Sequence, residues 1–421
     1  MNTYVMELRR SAMRWWFPLL VLLDLATLFG RARWWIGEWP QTSVEAQIPA
    51  FYLGPFLAAA AAWAASRTRR ARLEGIVAGA ARPAWQIESA QLAATLAYGL
   101  GAYAVGAVVA AITTAAKNDH GSLWPGYFLE GTALLVGCAA IGHASGKWSR
   151  TQFFAPVACS LGMFVAIAWL GSPSSFGLYL LSGPPFLRVA PPAVVSRLAL
   201  AAALVAAALS FRRPSVRRRI PTWSPRRRQL KGAALMAMPA VCAVVLAVAG
   251  PVQVPRPASD APTCTSGAPV ICLWPEDSVY LPTAQKMADR MRNLASYGFV
   301  VPARFDERGL ERAGSGGFDF YILEGSMWDA SESMASEIQF GSRPHDCPLT
   351  TTVTSDQAVA IGEQGMWLAM TIFGGARPSD MHGGPPGVDL DAVARVVQEP
   401  SAVQRQWLNS RMVLVRQAYC G

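Results

Sequence analysis

The chain has 421 residues, of which 52% are apolar and 15% charged, where soluble domains carry roughly 25% charged residues. Its net charge of +10 is unevenly distributed: residues 1–250 hold 24 Lys/Arg and 8 Asp/Glu (+16), whereas residues 251–421 hold 13 and 19 (−6). The total therefore averages a basic membrane half and a mildly acidic tail and says nothing about nucleic acid, which is not an expected partner.

The opening stretch "MNTYVMELRRSAMRWW" places Tyr4, Val5, Leu8, Ala12 and Trp15 near one helical face. It predicts an interfacial amphipathic helix over residues 1–14. Seven apolar spans follow, at 15–35, 50–66, 87–113, 127–145, 152–171, 194–211 and 232–250, each close to the length that crosses a bilayer. Besides Glu88 at the edge of the third span, two acids fall within them. An unpaired acid at the bilayer centre costs about 2.5–3.5 kcal/mol on insertion scales. Asp24 therefore either faces the bundle, in a translocation path or a helix pair, or sits near an interface in a shortened first span. Glu130 lies near the outer end of the fourth span, where water is expected to reach it.

Lys/Arg counts orient the stack. With the N-terminus inside, the internal segments hold 19 basic residues and the external loops and span ends hold 5, among them Arg188 and Arg197. The largest internal cluster is "RRPSVRRRIPTWSPRRRQLK" (212–231), with nine basic residues and no acid. It reads as a cytoplasmic anchor in contact with membrane lipid. Seven spans then put the C-terminus outside.

Cysteine usage leads independently to the same side. Cys264, Cys272, Cys347 and Cys420 all lie in the polar tail, which predicts two disulfides and an oxidising compartment. Three connectivities are possible; Cys264–Cys272 with Cys347–Cys420 is the preferred one. Residues 251–263 read as a Pro-rich spacer, and residues 264–421 as a small α/β domain. Strands are predicted in "APVICLWP", "FVVPARF" and "FDFYILEG", and helices in "LPTAQKMADRMRNLASYG", 355–373, 389–398 and 401–419. The fold class is thus an all-α polytopic bundle of about seven transmembrane helices, N-in and C-out, followed by a small extracytoplasmic α/β domain.

No catalytic constellation emerges: HExxH, G-x-S-x-G and CxxC are absent from the sequence. His345 and Asp346 in "RPHDC", and Asp380 and His382 in "SDMHGG", read as solvated loop residues rather than metal ligands, and Cys347 is better used in a disulfide. In "WPED", Glu276 and Asp277 end a predicted strand, a position suited to a catalytic acid but more often a loop or helix-start role. "GHASGKWS" (142–149) imitates a phosphate-binding loop with its first glycine misplaced. No metal, cofactor or intrinsic enzymatic activity is expected.

Between the second and third spans, "SRTRRARLEGIVAGAARPAWQIESAQLAATLAYG" has a basic start, then Glu74-Gly75, a short apolar stretch and a break at Arg82-Pro83. With the N-terminal amphipathic helix, this segment resembles the permease subunits of ABC-2-type exporters. In that family a short cytoplasmic helix opening on an acid and glycine and closing near a proline docks on the ATPase. The resemblance implies a coupling segment at 67–88 containing Arg72, Glu74, Gly75, Arg82 and Pro83. It also implies a separate ABC ATPase subunit, a homo- or heterodimer with a second permease, and export of a peptide, lipid-like or antibiotic cargo. The expected location is the bacterial plasma membrane. The alternative is a non-transporting scaffold or sensor whose external domain binds a partner.

Overall fold

The computed structural model describes residues 3–70, 84–149, 153–171, 180, 183–210, 237, 240–241, 243–244, 246, 251–310, 318–322, 326–343, 353–375 and 386–420. These divide into two compact units, Met1–Lys117 with Ser122–Val254, and Asn118–Gly121 with Pro255–Gly421.

The first unit is helical. Helix α1 (Thr3–Arg10) is followed across a 67° bend by α2 (Met13–Phe29). Then come α3 (Trp39–Glu45), α4 (Ala50–Ala65), the single turn α5 (Arg67–Arg70), α6 (Ala84–Ala115), α7 (Pro125–Trp148), α8 (Phe154–Leu170) and α9 (Pro191–Ser210). Four helical stretches are long and apolar enough to cross a membrane: Trp39–Ala65, Trp85–Ala115, α7 and α9; counting the bent α1–α2 pair as one span makes five. Helix α8 is apolar but shorter, at 17 residues. Helices therefore occupy six of the seven predicted positions, while most of residues 232–250 and all of 212–231 lie outside the described residues.

Composition explains the close packing of this unit. Alanine and glycine hold side-chain volume down, so neighbouring backbones approach and dispersion contacts accumulate where no hydrophobic force drives helices together. The most extensive contact is between α4 and α7. Leu20, Leu53, Leu57, Tyr103, Leu135, Cys138 and Ile167 form the main buried cluster. The segment read as a spacer is partly structured: Gln253–Pro255 (β2) pairs with Leu187–Val189 (β1). Ala190 N–H also donates to the Val252 carbonyl at 2.8 Å.

The second unit is α/β. Its sheet has the order β3 (Thr263–Cys264), β4 (Val270–Leu273), β5 (Arg304–Glu307), β6 (Phe318–Phe320), with β3 antiparallel to β4 and the rest parallel. Helices α10 (Leu281–Met291), α11 (Trp328–Gly341), α12 (Ser355–Phe373), α13 (Leu390–Gln398) and α14 (Ser401–Cys420) complete it. Ile271, Leu273, Met287, Met291, Phe305, Phe320, Trp328, Ile338, Trp367 and Leu408 belong to one core. The parallel β4–β5 pair needs a crossover, which α10 supplies. Helix α12 has both of its ends specified locally. Thr354 and Gln357 form a reciprocal capping box, and Gly374 closes the helix at φ +97°.

Cys264 and Cys272 are cross-strand partners on β3 and β4 and form a disulfide, with Cα atoms 4.1 Å apart. Of the other preferred pairing, Cys347 with Cys420, Cys347 lies outside the described residues, as do His345, Asp346, Asp380 and His382. Replacing Cys264 and Cys272 by serine is expected to lower the stability of this unit by about 2–3 kcal/mol on the chain-entropy model for so short a loop. Denaturant melts of the full-length protein check this, and non-reducing peptide mapping that finds both thiols free would contradict it.

Candidate functional sites

Three clusters of polar side chains stand out from their surroundings. The first joins α1 to the segment after α4. Glu7 is buried on the inner side of α1, and Arg67 Nη2 donates to both of its carboxylate oxygens at 2.6 and 2.7 Å. Tyr98 Oη on α6 donates to the Leu8 carbonyl at 3.0 Å. Arg70 donates to Ser66 Oγ at 3.1 Å, and its guanidinium sits 3.5 Å over the Trp63 ring. Helix α1 is thus held at its middle by a side chain lying just before residues 71–83. Arg72, Glu74, Gly75, Arg82 and Pro83 themselves lie outside the described residues. Sequence reading put Glu7 off the apolar face of α1, but nothing local marks a partner 60 positions away.

The second cluster lies inside the helical bundle. Asp24 is 0% exposed on α2 and packs against Gly106 of α6, where a Cβ would come within 1.5 Å of Oδ2. A glycine is required there because the carboxylate occupies the space a side chain would fill. Of the two alternatives open from sequence, Asp24 faces the bundle; among the described residues neither of its carboxylate oxygens has a hydrogen-bond partner.

Glu130 differs from expectation. It is 1% exposed rather than wetted, and it forms an ion pair with Arg197 Nε of α9 at 3.0 Å. Arg197, counted from sequence as an external span end, is buried by the same contact and also donates to the Ala193 carbonyl at 3.1 Å. The pair stands at the side of a cavity of about 110 Å³ lined otherwise by apolar residues such as Cys138, Leu200 and Leu204. Removing one partner of a buried pair leaves an uncompensated charge and costs roughly 3–5 kcal/mol. Arg197→Met is therefore expected to lower the melting temperature in detergent sharply. The double variant Glu130→Met/Arg197→Met should recover most of that loss, and a double variant no better than the single one would show that the two side chains are not coupled.

The third cluster sits at the C-terminal ends of parallel strands β4 and β5, where the turn Trp274–Tyr280 and the strand end Asp306–Glu307 meet. Trp274 N–H donates to Glu307 Oε2 at 2.9 Å, and its indole Nε1 donates to the Arg308 carbonyl at 3.1 Å. Arg256 lies 3.9 Å over the Trp274 ring and pairs with Glu276. Arg304 Nε bonds both oxygens of Asp306 at 2.9 Å. Asp277 and Glu307 remain: both are buried and interact with each other, with the Arg256 charge only partly offsetting the burial of Asp277. Burial, reinforced by Glu276, pushes the Asp277 carboxyl up to about 7. Burial, reinforced by the Asp277 charge, holds Glu307 well above the usual carboxylate range, which favours its protonated form. Two buried carboxyls with raised values are suited to share one proton. "WPED" thus supplies an ion-paired acid and half of a carboxyl pair, in a 3₁₀ turn rather than an open site. Among the described residues no group of three or more His, Cys, Asp or Glu side chains is placed to hold a metal ion.

An apolar helical bundle carrying a mixed α/β unit is the class this fold defines. Residues 271–418, within the second unit, match a family model described as a domain of unknown function (DUF7224). No curated protein matches the chain. No solved structure matches it either.

Proposed function

We propose that this chain is the permease subunit of an ABC-2-type exporter, acting with a separate ATPase and dimerising with itself or a second permease. The observation that carries the reading is the clamp between Glu7 and Arg67. It ties an interfacial helix, bent 67° from α2, to the start of the segment whose Glu74, Gly75 and Pro83 match the family's coupling helix. A displacement of that segment by an ATPase would thereby be transmitted to α1 and, through the bend, to α2 and Asp24. The cargo on this reading is a peptide, a lipid-like molecule or an antibiotic.

The same reading places the N-terminus in the cytoplasm, seven spans in the bacterial plasma membrane, and the C-terminal unit outside. The asymmetry of 19 against 5 basic residues and the Cys264–Cys272 bridge support it. The chain itself is not catalytic on this account. The alternative, a scaffold or sensor whose external unit binds a partner, is favoured by the confinement of the family match to residues 271–418.

The test is uncoupling. With the ATPase and chain reconstituted together in vesicles, the parent is expected to raise ATP hydrolysis and Glu74→Lys to abolish that stimulation while still inserting and forming its disulfide. Hydrolysis indifferent to the permease would remove the exporter and leave the sensor.

A further inference from the structure

The junction between α1, α2 and α4 encloses a second cavity, of about 450 Å³, which falls within the size range of ligand pockets. Its floor is apolar on the α4 side, with Phe56, Ala59 and Ala60 and Trp16 of α2, and carries the buried polar Gln91 and Thr95 of α6. Two consecutive alanines leave the room that larger side chains would fill. Its mouth is basic. Arg10, Arg67 and Arg70 line it against the single acid Glu7, leaving a surplus of two positive charges. Arg70 is held in place by Ser66 and the Trp63 ring, so its guanidinium is already oriented before any ligand arrives. Trp16 and Trp63 are 48% and 38% exposed beside this mouth, and amphipathic indoles of this kind concentrate at headgroup level.

We propose that this pocket binds one anionic phospholipid, with the phosphate at Arg10 and Arg70 and the first part of the acyl chains against Phe56, Ala59 and Ala60. The physical case is the combination of the two surfaces. A free phosphate gains nothing from the apolar floor, and a zwitterionic lipid brings no net charge to offset the surplus of two. An arginine fork suits phosphate oxygens. An anionic amphiphile satisfies both surfaces in one molecule. A bound lipid would brace the bend between α1 and α2 from inside, beside the Glu7–Arg67 clamp that lines the same pocket. This site does not depend on the exporter reading, because binding is measured without ATP or cargo; its failure would leave that reading standing.

Native mass spectrometry of the full-length protein in detergent tests it, titrating phosphatidylglycerol, phosphatidylcholine and inorganic phosphate separately. Phosphatidylglycerol is expected to form a one-to-one adduct at concentrations where phosphatidylcholine does not, and inorganic phosphate should neither bind nor compete. Arg10 is exposed on α1, so Arg10→Gln preserves the fold and is expected to weaken that adduct about fivefold. Arg10→Gln/Arg70→Gln should weaken it about twenty-five-fold on the same scale. Equal retention of the two lipids would overturn the proposal, and so would competition by inorganic phosphate or parental affinity in Arg10→Gln.

Discussion

Replacing Gly142 by valine is expected to abolish the folded bundle. A Cβ at Gly142 would lie 2.0 Å from the Ala58 carbonyl oxygen and 2.7 Å from Ala58 Cα. One turn on, a Cβ at Gly146 would lie 2.3 Å from the Ala62 carbonyl oxygen. All of these are backbone atoms, which cannot rotate aside as a side-chain tip can. Helices α7 and α4 therefore meet backbone to backbone through Gly142 and Gly146 on one side and Ala58 and Ala62 on the other, a small-residue pairing at four-residue spacing. Inserting methylenes into a packed core commonly costs about 1–3 kcal/mol, and more where nothing can yield. Gly142→Val and Gly146→Val should each elute as aggregate in detergent chromatography, whereas Gly162→Ala, which meets nothing within 4 Å, should behave as the parent. A parental melting temperature in Gly142→Val would show that the two helices do not pack this way.

The second large effect is on pH. Burial pushes Asp277 up to about 7 in the folded unit, against about 3.9 when unfolded, and Glu307 is also held well above its ordinary value. Both folded values are raised, so the folded state binds these protons more tightly than the unfolded chain does. The stability they contribute is fully present below about pH 4. It is lost as pH rises through about 7 for Asp277 and through the raised value of Glu307, by an amount on the order of a few kcal/mol. Hydrogen exchange of peptides covering 270–280 and 303–310 in the full-length protein, corrected for intrinsic rates, should show stronger protection at pH 5 than at pH 8. Glu307→Gln keeps a neutral donor for Asp277 and an acceptor for Trp274, so it should gain protection at pH 8 and flatten the profile. A parent equally protected at both pH values would contradict the shared proton.

How much of this was legible depended on whether its cause was local. The helix read at 355–373 is found as Ser355–Phe373, because Thr354, Gln357 and Gly374 fix its ends within one turn of chain. The strand read in "FVVPARF" begins later, at Arg304. Phe299 turns instead into the core, where its ring stacks with Trp367 at 6.1 Å. Helix α11 escaped notice although Trp328, Ser331, Met334, Ala335 and Ile338 follow helical spacing on its buried side, because its serines and acids resembled a loop. "GHASGKWS" was legible as glycines at a fixed spacing, but its use is close helix packing rather than phosphate binding.

The sites depended on pairings far apart in sequence. "WPED" was visible as acids at a strand end, whereas nothing local marks Glu307 as a partner for them. Only the parallel β4–β5 register, with Cys272 opposite Asp306, brings Glu307 to Asp277. The partners of Glu7 and Glu130 were hidden for the same reason, since each lies on a different helix.

The central claim is that this chain works as the membrane half of a two-component ATP-driven exporter. Its most direct test is to purify the tagged full-length protein from its native membranes under mild detergent and identify what accompanies it by mass spectrometry. The account predicts an ABC ATPase present in amounts comparable to the chain, and largely lost from Glu74→Lys although that variant is inserted at parental levels. An ATPase absent from the parent preparation, or retained undiminished by Glu74→Lys, would contradict it.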